Sequence, residues 1–159
     1  MGSPVKTASW LKVLCAFLAA VVSSAAAHAL DLRAMPGKTY RTWDPSHGSQ
    51  ISYVGPRGLW AFLWYPGNDV VVPSRWQLAS VAGQPGKCQL WPEGTHNPTR
   101  PGPGNVECTT QARWAGKVVE VANGDIFGLA HDPGRRYQVP FRLPREPLPF
   151  AQLKGMMAR

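Results

Sequence analysis

The sequence predicts an all-β protein, an antiparallel meander that forms a small lipocalin-like barrel or sandwich. Glycine and proline, 16 of each, recur every several residues along the chain. Between them lie short runs rich in Val, Trp, Tyr and Thr, a combination that is typical of strands separated by turns. We expect about nine strands in antiparallel order, and eight or so suffice to close a small barrel.

The first segment, 1–29, has the layout of a cleaved secretory signal peptide. A basic start precedes a short apolar run at 13–22, and small residues around Ala29 match a cleavage site, with Ala27 as the alternative position. The other interpretation is an uncleaved membrane anchor, although the run is shorter than the ~20 residues that span a bilayer. The prediction is an exported chain, periplasmic if the source is a Gram-negative bacterium, with one β domain at 30–142.

Six runs before residue 115 are strand candidates. They are short, mostly contain β-branched or aromatic residues, and lie between turn-forming residues. The runs are 38–43, 49–54, 58–65, 74–81, 87–92 and 106–114.

The stretch 58–66, GLWAFLWYP, is apolar on both faces of the expected strand. An ordinary half-buried strand alternates apolar with polar residues, so both faces should be covered here. We expect Trp60, Phe62 and Trp64 to point into the barrel. The opposite set is then expected to lie beneath a loop, a tail or a partner, and it consists of Leu59, Ala61, Leu63 and Tyr65.

A three-stranded meander is predicted near the C-terminus. The run 115–122 meets 125–130 across Asn123-Gly124, the preferred centre of a type I′ turn. A second turn returns the chain as a third strand at 135–141. In this register the strands share one core face, which consists of Val119, Val121, Ile126, Tyr137 and Val139.

Two cysteines, Cys88 and Cys108, follow the predicted signal segment. In an exported chain an even pair indicates a disulfide, and the alternative, a two-thiol metal site, lacks further ligands nearby. The disulfide would tether the Pro/Gly-rich loop 92–105 at its base. The tail, 143–159, is basic and rich in proline, so it is predicted to be extended or disordered.

Aromatic residues interleaved with arginine are the main indication of a binding site. Such side chains can stack sugars or hold an amphiphile with an anionic head, and the alternative is that they fill the core. The candidate ligand-binding residues are Trp60, Phe62, Trp64, Trp76, Arg75 and Trp114.

The sequence offers little support for catalysis. Asp44, Ser46 and His47 supply the residue types of a hydrolytic triad, but they are neighbours in one turn, whereas triads are assembled from separated segments. Glu93 and His96 have the spacing of metal ligands on a helix, yet they lie in a loop. No catalytic residue, metal or cofactor is assigned, and the protein is predicted not to be an enzyme.

Short motifs give the chain a resemblance to a known family. The stretch GKTYRTW at 37–43, GLW at 58–60, and Cys88 and Cys108 are similar to a pattern in small exported proteobacterial proteins of the domain-of-unknown-function family 995. Tyr40 stands where that family more often has Trp. The resemblance implies a small periplasmic β protein and brings no catalytic residues, because the family has no assigned activity.

The formal net charge of +8 favours anionic partners, although it is also compatible with solubility alone. Export argues against nucleic acid, and a membrane is expected only as a peripheral contact or through the uncleaved anchor. The leading prediction is non-enzymatic binding, in the periplasm or envelope, of a small amphiphilic or anionic ligand or an envelope component. The alternative is a protein-interaction module, or an inhibitor of an envelope enzyme, that acts through loop 92–105 and the C-terminal tail.

Overall fold

The computed structural model describes residues 30–93, 95, 106–130 and 138–157. Within these ranges seven strands form one sheet, fewer than the about nine expected from the turn signals. The strands are β1 (Lys38–Asp44), β2 (Gly48–Val54), β3 (Trp60–Trp64), β4 (Val72–Val81), β5 (Gln84–Leu90), β6 (Val106–Thr110) and β7 (Val118–Asn123). A 3-10 helix covers Leu32–Ala34, and two α-helices follow later, α1 (Gln111–Ala115) and α2 (Phe150–Met157). The predicted all-β fold class is confirmed, while the signal segment 1–29 lies outside the described residues.

All strand pairs are antiparallel, and the order across the sheet is β6-β5-β4-β3-β2-β1-β7. The first six strands form the predicted meander, because each pairs with the next one in the chain. The last strand departs from it and pairs with β1, where Thr39 lies opposite Ala122 and Tyr40 opposite Val121. Therefore β6 and β7 are the two edges of the sheet.

The sheet curls into a half-barrel around Trp114 of α1. The ring of Trp114 lies 5.2 Å, centroid to centroid, from the ring of Tyr40 on β1. Nζ of Lys87 on β5 lies 5.3 Å from the same indole. Three strands separate β1 from β5, so a flat sheet would hold them ~19 Å apart. The face that carries Tyr40 and Lys87 is therefore concave, and we call it the inner face and its opposite the outer face.

The inner face, α1 and the 3-10 helix enclose one hydrophobic core. Trp114 reaches into it from α1, and Ala61 contributes from the middle of β3. The buried members are Leu32, Met35, Tyr40, Val54, Ala61, Trp76 and Trp114.

A second core lies on the outer face of β1 to β3, beneath the chain that follows β7. Trp64 contributes from β3, and its ring lies 5.6 Å from that of Phe127. The buried members are Ile51, Tyr53, Trp64, Val71, Phe127, Leu129, Leu143, Phe150 and Leu153. Strand β3 is apolar on both faces because each face meets a core.

The expected orientation of β3 is wrong. Ala61 belongs to the inner core and Trp64 to the outer core. Because side chains alternate along a strand, Trp60, Phe62 and Trp64 share the outer face rather than pointing into the barrel. Because Trp114 of α1 fills the half-barrel, the large rings of β3 are not required to fill its interior.

The predicted hairpin across Asn123-Gly124 is also wrong. Residues 125–130 form turns rather than a strand, and β7 pairs with β1 instead. The hydroxyl of Thr39 donates to the carbonyl oxygen of Gly124 at 2.6 Å and accepts the N–H of Ile126 at 3.4 Å. These bonds hold the chain against β1 just after β7, where a hairpin would have turned back.

As a consequence, the core face predicted for this region does not form as one face. Val119 and Val121 are exposed, whereas Phe127 and Leu129 are buried in the outer core. Two other members of the predicted set, Ile126 and Val139, pack at the margin of that core. Residues 135–137, Tyr137 among them, lie outside the described residues, and the described remainder of the predicted third strand forms an isolated bridge between Gln138 and Val70.

The predicted strand at 106–114 ends earlier, at Thr110, where α1 begins. The hydroxyl of Thr110 accepts the N–H of Arg113 at 3.3 Å, which is a side-chain cap of the helix N-terminus. Helix α1 then leads the chain from one edge of the sheet to the other. The predicted disulfide between Cys88 and Cys108 is confirmed, and the two residues lie directly opposite each other on β5 and β6.

The tail, predicted to be extended or disordered from 143 onward, is folded over 143–157. Leu143 is buried, and α2 buries Phe150 and Leu153, which lie three residues apart on one helix face. Pro149 precedes the helix, where a missing N–H costs little. Because proline is frequent before residue 150, the sequence pattern did not predict this short amphipathic helix.

Candidate functional site

Four residues form a continuous exposed row across the outer face of β3 to β6. Trp60 lies opposite Arg75, Arg75 opposite Leu90, and Leu90 opposite Val106. Trp60 is 44% exposed, Leu90 47% and Val106 60%, so the outer core ends before it reaches them. We call these four residues the exposed row.

The exposed row combines a cation with apolar surface on both sides of it. The guanidinium carbon of Arg75 lies 5.2 Å from the centre of the Trp60 indole, a cation–π arrangement. On the other side, Leu90 and Val106 continue the row with aliphatic side chains.

The disulfide supports one end of the exposed row. Cys88 and Cys108 lie two residues from Leu90 and Val106 respectively, so all four occupy the outer face. The covalent bond holds β5 against β6 at this point. The spacing between Leu90 and Val106 is therefore set by a cross-link as well as by backbone hydrogen bonds.

The structure does not bring the six candidate ligand-binding residues together. Trp60 and Arg75 are adjacent in the exposed row. Phe62 is half-buried and Trp64 is fully buried in the outer core, where the Trp64 ring lies 4.9 Å from that of Phe141. The remaining two, Trp76 and Trp114, belong to the inner core on the other side of the sheet.

Sequence reasoning missed two members of the exposed row, Leu90 and Val106. A signal for them was present in the cysteine pair. Once Cys88 and Cys108 are placed opposite each other on antiparallel strands, Leu90 must lie opposite Val106 on the same face.

A polar cluster lies on the inner face, built around the buried Lys87. Its Nζ donates to Oε1 of Gln89 at 2.7 Å, and Nε2 of Gln89 donates to the hydroxyl of Ser74 at 3.2 Å. Burial lowers the pKa of Lys87 to about 8, although the nearby charge of Glu107 acts in the opposite direction. No pattern in the sequence predicted that this lysine would be buried beneath Trp114.

The turn after β1 contains the residue types of a hydrolytic triad in a different arrangement. The carboxylate of Asp44 accepts the hydroxyl of Ser46 at 2.8 Å and lies 2.9 Å from Nδ1 of His47. The hydroxyl is thus bound to the carboxylate, whereas a triad needs it on the imidazole. Lys117 also donates to Asp44 at 3.0 Å, and the cluster fixes the turn.

Asp44 is held in its charged form by these donors. Burial alone would raise the pKa of its carboxyl group. The hydrogen bonds from the backbone of His47, from Ser46, from Lys117 and from the His47 ring outweigh burial and lower the pKa well below its usual range.

Glu93 and His96 have the spacing of metal ligands, and of the two only Glu93, which is exposed, falls within the described ranges. Within 30–93, 95, 106–130 and 138–157, no group of three His, Cys, Asp or Glu side chains is arranged to hold a metal ion. No helix in the same ranges has the length and apolar character needed to cross a bilayer.

These features define the class of the protein: a disulfide-linked antiparallel half-barrel with a mixed aromatic, cationic and aliphatic row on its outer face. No match was found among protein-family models, curated proteins or solved structures. The resemblance to family 995 and the assignment to the periplasm therefore stay predictions from the sequence.

Proposed function

We propose that this is a non-enzymatic binding protein of the cell envelope that uses the exposed row to contact anionic phospholipid at a membrane surface. The observation that carries the proposal is Arg75 lying over Trp60 with Leu90 and Val106 beside it, all exposed on the outer face of the sheet. The proposal rests on the predicted export of the chain for its location and on this surface for its chemistry.

The exposed row suits the boundary between headgroups and acyl chains. Tryptophan favours that boundary because its ring is apolar and its N–H is polar. The row crosses three strand spacings, ~14 Å, which is long enough to contact both a headgroup and the methylene groups beneath it. Arg75 would pair with a phosphate, and the aliphatic end would lie against the upper part of the chains.

The overall charge of the chain also favours binding to an anionic membrane. Cleavage of the predicted signal segment removes Lys6 and Lys12 and lowers the formal net charge from +8 to +6, which still attracts the exported chain to an anionic surface before any specific contact forms. This attraction is screened by salt, so binding should weaken as ionic strength rises.

Co-sedimentation with lipid vesicles tests the proposal. The purified chain should sediment with phosphatidylcholine vesicles that contain phosphatidylglycerol and much less with phosphatidylcholine alone. Tryptophan emission should shift to shorter wavelength on binding, because Trp60 leaves water. Equal sedimentation with both vesicle types, or none with either, would overturn the proposal.

Two matched pairs of variants distinguish a specific role of the exposed row from general effects of charge and hydrophobicity. Arg75→Gln should weaken binding about fivefold, whereas Arg113→Gln, which removes an exposed arginine of α1, should have a smaller effect. Leu90→Ser should weaken binding, whereas Leu78→Ser should not, since Leu78 is equally exposed on the other face of β4. Loss of the same size within each pair would contradict a role for the row.

The structure weakens one part of the rival hypothesis, a protein-interaction module. The C-terminal tail that this hypothesis uses is packed against the outer face through Phe150 and Leu153. The loop 92–105 lies outside the described residues except for 92, 93 and 95, so its part in the rival hypothesis stays a prediction.

A further inference from the structure

The amine of Lys87 is enclosed on the inner face by groups that do not neutralise its charge. The residue is only 6% exposed, and the acceptor that contacts Nζ is the neutral amide oxygen of Gln89, at 2.7 Å. The indole of Trp114 covers the amine from the side of α1. Within the described part of the chain, no carboxylate forms an ion pair with it.

One carboxylate lies nearby without contacting the amine. Glu107 of β6 is opposite Gln89 of β5, so Glu107 and Lys87 share the inner face on adjacent strands. Gln89 and Glu107 are both only partly buried, in contrast to Lys87 itself.

This environment raises the fraction of the amine that is in its neutral, nucleophilic form. Burial brings the pKa of Lys87 down from 10.5 to about 8, while Glu107 opposes the shift. At neutral pH the neutral fraction is then roughly 300-fold larger than for an ordinary lysine. A desolvated amine beside an apolar wall is the setting in which lysines form imines with carbonyl compounds.

We propose that Lys87 is a site of reversible covalent attachment for short aliphatic aldehydes. The nitrogen lone pair attacks the carbonyl carbon, a C–N bond forms, and one amine proton passes to the carbonyl oxygen. Loss of water, which takes that hydroxyl and the second amine proton, gives the imine. No electron is gained or lost overall, and hydrolysis reverses the reaction.

The surrounding side chains fit the product as well as the reactants. Uptake of a proton from solvent gives the imine one N–H, which the oxygen of Gln89 can accept. The charge of Glu107 favours this cation, and the apolar face of Trp114 accepts the short alkyl chain and limits access of water. An aldehyde with a bulky or charged substituent would meet the inner core, which is filled by Trp114, Trp76 and Tyr40.

Site-resolved reductive alkylation of the full chain tests the proposal. The purified protein is treated with propanal and sodium cyanoborohydride near pH 7, and peptide mass spectrometry follows each lysine separately. Lys87 should gain a propyl group about tenfold faster than Lys154, an exposed lysine of α2 that serves as the internal control. A rate at Lys87 equal to or below that at Lys154 would overturn the proposal, including the case in which burial blocks the reaction.

A pH profile distinguishes a reaction rate set by the protonation state of Lys87 from one set only by its accessibility. The rate at Lys87 should rise with pH to a midpoint near its pKa of about 8. Glu107→Gln removes the charge that raises this pKa, so the midpoint should move to lower pH while the rate at Lys154 is unaffected. An unchanged midpoint in Glu107→Gln would contradict the arrangement proposed for the site.

Discussion

The buried guanidinium of Arg41 donates from Nε to the carboxylate of Glu120 at 3.0 Å, and the same oxygen atom accepts the N–H of Phe150 at 2.9 Å. One carboxylate thereby joins β1, β7 and the start of α2. Nη1 of Arg41 is buried and has no hydrogen-bond partner within the described residues. The guanidinium thus depends heavily on Glu120.

Glu120→Ala should lower the free energy of unfolding by about 3 kcal/mol, because it leaves a buried cation without its carboxylate. Urea denaturation followed by tryptophan fluorescence measures the loss. Glu120→Gln keeps an acceptor for both donors and should cost less. Equal losses in the two variants would show that the carboxylate is not the group that matters.

Thr39→Val should destabilise the fold by about 1–2 kcal/mol, because it removes the hydroxyl that bonds to Gly124 and Ile126 while keeping a similar shape. Thr39→Ser keeps the hydroxyl and should retain more of the stability. The same urea titration compares them. A serine variant as unstable as the valine variant would assign the effect to packing instead.

Asp44 should make stability depend on pH in the acid range. Its pKa is lower in the folded chain than in the unfolded chain, so the folded state binds fewer protons there. The stabilisation is complete above pH of about 4, the ordinary aspartate value, and is lost as the pH falls toward the folded pKa. The stability difference between the wild type and Asp44→Asn should shrink as urea titrations move to lower pH, and a constant difference would contradict this.

Lys87 should make stability depend on pH in the alkaline range. Here burial disfavours the charged form, whereas the charged form of Asp44 is favoured by its donors. Its pKa is about 8 in the folded chain and higher when unfolded, so the unfolded state binds more protons above pH 8 and stability rises with pH. The gain up to pH of about 10 should be on the order of 1–3 kcal/mol. Above that, the raised pKa of the buried Tyr40 opposes the trend. Lys87→Met should abolish the rise, and a rise that persists in this variant would assign it to another group.

The meander was predictable because its signals are local. Alternating apolar runs and Gly/Pro turns locate β1 to β5 to within a few residues, and the cysteine pair sets the register of β5 on β6. These features depend on neighbours in the chain. They were sufficient for the fold class and for two members of the exposed row, Trp60 and Arg75.

The C-terminal third was mispredicted because tertiary contacts override local preference there. Asn123-Gly124 favours a hairpin, but β1 offers β7 a full partner and Thr39 binds the residues on both sides of Asp125. A buried lysine such as Lys87 is likewise invisible in sequence, because its cover comes from α1, more than twenty residues away. The tryptophans are divided between two cores because the sheet is curved. Curvature of the sheet cannot be predicted from the periodicity of the sequence.

The pairing of the last strand with the first has a consequence for how the chain folds. Each hairpin of the meander closes between neighbours, but the β1–β7 contact joins residues such as Arg41 and Glu120, which are 79 positions apart. Contacts of this separation form slowly, since a long loop must close before they are made. Until β7 arrives, β1 presents an unpaired edge that another chain can join. Assembly of the native sheet therefore competes with aggregation until residue 123 is available, and a chain truncated before β7 keeps that edge open permanently.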